Sequence, residues 1–143
     1  MEHINFWAVL LATLSTMVVG SVWYTPKVFG TRWARLAGVD MNRPGATALL
    51  PIITTLIVSF ISALVLAIAA AVTWQAFSGG SYLVVALLTA VVLWAGFTAA
   101  RFITHDAFEG RPSALTVLNI AHELFTVVVM AIIIGVWPAA GTI

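Results

Sequence analysis

Apolar residues along this chain fall into four long runs, 5–24, 48–72, 82–103 and 113–137. Each matches the ~20 residues a helix needs to cross the hydrocarbon core of a bilayer. Pro26, the Pro44-Gly45 pair, the stretch Ser78-Gly79-Gly80-Ser81 and Gly110-Arg111-Pro112 separate the runs, as chain-breaking residues do. Between the first two runs the pattern changes. Over 27–38, Phe29, Trp33 and Leu36 recur at helical spacing while Arg32 and Arg35 take another face, which predicts a short amphipathic helix lying in the membrane interface against lipid head groups. The pattern as a whole predicts an all-α integral membrane protein. It is a single domain over 1–143, a bundle of four transmembrane helices with an interfacial helix after the first.

Composition supports this picture. Hydrophobic residues make up 62% of the 143 and charged residues 8%, against about 25% charged in an ordinary soluble domain. Such a chain cannot cover a water-facing surface, and a formal charge of +1 offers nucleic acid no binding field. Cysteine is absent, which excludes disulfides and thiolate chemistry. The leader Met1-Glu2-His3 has no positive charge, so the first run reads as a retained span and not as a cleaved signal.

Charge also gives sidedness. Lys27, Arg32, Arg35 and Arg43 lie in the first connection, and Arg101 and Arg111 flank the third. The positive-inside bias places these connections in the cytoplasm and both termini on the non-cytoplasmic side. Trp7, Trp74, Tyr82 and Trp137 then fall near the outer boundary, and Trp23, Tyr24 and Trp33 near the inner one, where amphipathic rings concentrate. Trp94 alone falls mid-span, packed in the bundle or lining a cavity.

Small residues recur at four-residue steps: Ala8, Ala12, Thr16 and Gly20 in the first run, and Ser59, Ala63, Ala67 and Ala71 in the second. Shorter pairs are Gly96 with Ala100 and Ala131 with Gly135. Small residues let helices approach closely in lipid, and two full stripes suggest a homo-oligomer or a partner membrane subunit.

The candidate chemistry sits in the fourth run. At 100° per residue, Thr116, Asn119, His122, Glu123 and Thr126 share a wedge of about 120°. By the same geometry Trp94, Thr98, Arg101 and His105 share one side of the third helix. Glu123 lies ~14 Å in from its helix end at 1.5 Å per residue. A charged group near mid-membrane costs roughly 2.5–3.5 kcal/mol on insertion scales, so Glu123 must be protonated, paired or watered. Three readings stay open. Arg101 and Glu123 form a structural pair with Asn119 and His122 beside it; or Arg101, His105, Asn119, His122 and Glu123 form a site for a proton, an ion or a small amphiphile; or the cluster is catalytic. The last finds little support, because His122-Glu123 lacks the second histidine of a zinc-protease helix. No serine–histidine motif or glycine-rich phosphate loop appears, and His105 near the surface and His122 deep in its span are poorly placed for a bis-histidine haem, so the sequence assigns no cofactor. The charged turn of His105-Asp106 and Glu109-Gly110-Arg111-Pro112 joins two helices, with Asp106 or Glu109 also able to pair with arginines of the interfacial helix.

Two stretches carry a family resemblance: Val22-Trp23-Tyr24-Thr25-Pro26-Lys27-Val28-Phe29-Gly30 with Trp33, and Phe108-Glu109-Gly110-Arg111-Pro112 leading into a helix with a polar middle. Together they resemble the small bacterial membrane proteins grouped as domain-of-unknown-function family 1761. The resemblance implies a four-helix protein of the bacterial inner membrane and implies no activity, substrate or catalytic residue.

Overall fold

The computed structural model describes residues 4–40, 49–77 and 80–141. Arg43 and the breaks at 44–45 and 78–79 lie outside them. The described chain is α1 (Phe6–Trp23), α2 (Gly30–Ala37), α3 (Leu49–Ala76), α4 (Tyr82–Leu93), a π-helical turn (Trp94–Ala99), α5 (Ala100–Glu109) and α6 (Ser113–Val136). Through the π turn, α4 and α5 make one continuous helix, Tyr82–Glu109, so four helices are long and apolar enough to cross a membrane. The third runs on past Ile103 to Glu109, which places His105 and Asp106 on a helix and not in the turn.

Local chemistry sets the ends. Asn5 caps α1, its side-chain oxygen accepting from the Trp7 and Ala8 backbone N–H groups at 3.0 and 3.2 Å, donors the helix itself leaves unmet. Its amide also donates to the Trp137 carbonyl at 3.2 Å, tying the first helix to the end of the last. After α1 the chain turns back on itself: Phe29 N–H bonds the Trp23 carbonyl and Gly30 N–H bonds the Thr25 carbonyl. A Cβ on Gly30 would lie 2.1 Å from the Tyr24 carbonyl oxygen, so only glycine fits there. At the other turn Gly110 takes φ 67°, a left-handed cap that glycine adopts without strain.

Around the bundle the order is α1, α3, α4, α6 and back to α1. The packed core lies in the half near the chain ends, built from Val9, Ala12, Ala63, Leu66, Ala67, Ala70, Tyr82, Ala86, Ala90, Met130, Ala131 and Ile134. The two small-residue stripes are spent here. Ala8, Ala12 and Thr16 of α1 and Ser59, Ala63, Ala67 and Ala71 of α3 are all buried, and Thr16 donates to Ser59 at 3.1 Å. Between α4 and α6 a Cβ on Gly135 would sit 2.8 Å from the Leu83 Cα. Small residues thus bring helices of this one chain together. Meanwhile Leu50, Leu88, Phe97 and Phe108 are well exposed, an apolar exterior for which lipid is the fitting solvent.

Candidate functional site

The half of the bundle that bears the arginines is built differently. Here α5 packs on α6, and the first turns of α3, Leu49–Thr55, are exposed. The π turn sits at the junction of the two halves. Within it the Trp94 indole N–H donates to the Ile120 carbonyl of α6 at 2.9 Å. Trp94 also lines a shallow cleft between α3 and α6, so both roles open to it from sequence hold.

Between α1, α3 and α6 lies a cavity of about 820 Å³, within the range of ligand pockets. From α1 come Thr16, Met17, Gly20 and Ser21, with Tyr24 at its end. From α3 come Ile52, Thr54, Thr55, Val58, Ser59 and Ser62, and Thr98 projects from the π turn. From α6 come His122, Glu123, Thr126, Val127 and Met130. The walls are apolar with scattered hydroxyls, several of them bonded back to their own helices, as Thr126 is to the His122 carbonyl at 2.9 Å and Thr55 to the Pro51 carbonyl at 2.8 Å.

Glu123 and His122 supply the ionisable groups. His122 Nδ1 lies 3.3 Å from Glu123 Oε1, and the Glu123 side chain keeps 37% of its surface open. His122 Nε2 is buried without a hydrogen-bond partner, close under Gly20. Its ring is held by Trp23 edge-on at 5.8 Å and by Tyr24 at 4.9 Å. With the proton on Nδ1 the imidazole donates to Glu123 and leaves Nε2 an unmet acceptor, a condition costing ~1–3 kcal/mol.

A smaller cavity of about 200 Å³ lies on the arginine-bearing side of Glu123, between α2, α5 and α6. Leu115, Asn119 and Glu123, one helical turn apart in succession, form its α6 wall. Opposite, the Trp33 indole N–H donates to Asn119 Oδ1 at 3.2 Å. Tyr24 stacks edge-on against Trp33 at 5.0 Å and borders both cavities, as Glu123 does.

The predicted site residues therefore divide. Asn119, His122 and Glu123 are brought together. Arg101 and His105 are exposed on α5, and among the described residues no ion pair joins Arg101 to Glu123. In the π turn Trp94 bonds α6 and Thr98 reaches the larger cavity, while Arg101 and His105, beyond it on α5, lie on an exposed stretch of the helix. Of the interfacial group, Arg32 and Arg35 are exposed, Trp33 and Tyr24 are half-buried on the site, and Trp23 is buried. Trp23 packs on Phe29 at 4.5 Å and Phe125 at 5.4 Å, with its N–H unpartnered among the described residues.

The α1 and α3 walls were missed from sequence. Their signal was present in α3, where Thr55, Ser59 and Ser62 fall at i, i+4 and i+7 on one helical face. At the charged turn, the buried Asp106 accepts from Thr116 at 2.7 Å and lies 3.8 Å from Arg111. Glu109 also bonds Arg111. This hydrogen bond, then the Glu109 and Asp106 charges, hold the Arg111 guanidinium above its ordinary pKa. The acidic groups thus clasp their own turn. Among the described residues no three metal-ligating side chains gather.

Four spanning helices around a half-open cavity with a carboxylate in its wall define a small multipass membrane protein. The chain belongs to the family described as protein of unknown function (DUF1761), whose model matches residues 7–135. That match takes in the bundle and both cavities. No curated protein and no solved structure matches the chain.

Proposed function

We propose that this protein binds a small cationic amphiphile within the membrane, with Glu123 as its counter-charge. The observation that carries the reading is the Glu123 carboxyl facing an 820 Å³ cavity, where among the described residues the neighbouring imidazole is its one basic partner. Intramembrane acids often mark binding sites and pathways. The Glu123 carboxylate and the unmet His122 Nε2 suit a ligand that brings positive charge and an N–H donor. Met17, Ile52, Val58, Val127 and Met130 suit its apolar body. On this reading the arginine-bearing end faces the cytoplasm of a bacterial inner membrane and both chain ends face outward.

Binding is tested with the protein in lipid nanodiscs, by titrating decyltrimethylammonium and decylamine and following tryptophan fluorescence. The reading predicts saturable binding weakened at least tenfold in Glu123→Gln, with a neutral decyl maltoside unaffected by the substitution. Equal affinity of wild type and Glu123→Gln for both cations would overturn it. A non-transporting scaffold, the competing reading, predicts that equal affinity.

A further inference from the structure

Glu123 separates two spaces of unequal size. The larger has room for an amphiphile. The smaller, about 200 Å³, has room for about six waters at ~30 Å³ each and not for a ligand of that kind. It is also polar where it matters: Trp33 and Asn119 hydrogen-bond from facing elements, and Arg111 lines the space from the turn. Its boundary with the large cavity is formed by the two residues common to both, Tyr24 and Glu123.

From this division we infer that the small chamber is a water route by which the Glu123 carboxyl exchanges its proton with the arginine-bearing side of the membrane. The ligand and the proton then reach one carboxyl from different directions. The titratable and charged groups facing it are His122 beside it on α6, Tyr24 from the end of α1 and Arg111 from the turn, while the α3 residues lining the large cavity include none. The inference rests on Glu123 serving the proposed site, yet its route can be examined without a ligand.

The chain has no cysteine, so single cysteines report access without background. Glu123→Cys and Asn119→Cys are reconstituted in vesicles and treated from one side with a small, membrane-impermeant methanethiosulfonate. Their sidedness is fixed by Thr31→Cys on exposed α2, and Leu88→Cys at an exposed apolar position of α4 sets the reference rate outside both cavities. Both chamber cysteines should react at least tenfold faster than Leu88→Cys, from the Thr31 side only. Adding Ala37→Phe, which fills the chamber from α2, should slow Glu123→Cys at least tenfold. Reaction from the opposite side, reaction no faster than Leu88→Cys, or reaction indifferent to Ala37→Phe would each overturn the route. None of these outcomes bears on cation binding by the native carboxyl, so the two readings can fail separately.

Discussion

At the scale of single residues, the chemistry of the site comes from what does not accompany Glu123. A guanidinium at hydrogen-bond distance would make the acid a structural clamp; here an imidazole at 3.3 Å is its ion-pairing neighbour. Asn119, His122 and Glu123 were legible in the sequence because they lie on one straight helix whose angular positions follow from counting. For Arg101 and His105 the same count gave a shared side of the third helix but not that this stretch of it lies exposed. Gly20 and Gly30 test the packing around the site. A Cβ on Gly20 would meet His122 Nε2 at 3.8 Å, an ordinary contact, so Gly20→Ala should leave the melting temperature within a few degrees while reducing amphiphile affinity. Gly30→Ala places a methyl on the Tyr24 carbonyl and should cost ~3 kcal/mol or more, above the usual range for overpacking, seen as a large fall in thermal midpoint in detergent.

Among the elements, α2 is the one whose role changed most between sequence and structure. Its amphipathicity was plain from Phe29, Trp33 and Leu36, and Arg32 and Arg35 do face away from the bundle. What spacing could not show is that its inner face closes the chamber beside Glu123. Trp33→Phe removes the bond to Asn119 and should destabilise by ~0.5–1.5 kcal/mol. It should also speed modification of Glu123→Cys from the Thr31 side, a restriction that a change in stability alone would not impose. The α5–α6 turn offers a second case. Thr116→Val withdraws a donor from buried Asp106 and should cost ~1–3 kcal/mol, with Thr116→Ser restoring most of it; chemical unfolding in mixed micelles measures both.

Over the whole molecule, the two halves of the bundle do different things. The half near the chain ends is sealed by alanines and glycines. In the half near the arginines α5 packs on α6 and the first turns of α3 are exposed. Four spans were legible from run length, and the family from its two turn motifs. Which small-residue stripes would face inward was not, since any such stripe can serve either a neighbour in the chain or a second copy. Ala63→Leu and Ala67→Leu, both at buried positions, should therefore disrupt the monomer's fold, while Ala100→Leu on the exposed face should leave thermal unfolding unchanged. The central claim is that the opening between α1, α3 and α6 is a ligand site. It is tested most directly by photolabelling the nanodisc-embedded protein with a decylammonium that carries a diazirine, and mapping the adducts by mass spectrometry. The account predicts adducts concentrated on Thr16–Tyr24, Ile52–Ser62 and His122–Met130 and lost from all three in Glu123→Gln. Adducts spread over Leu50, Leu88, Phe97 and Phe108 in proportion to their exposure, and unchanged by that substitution, would contradict it.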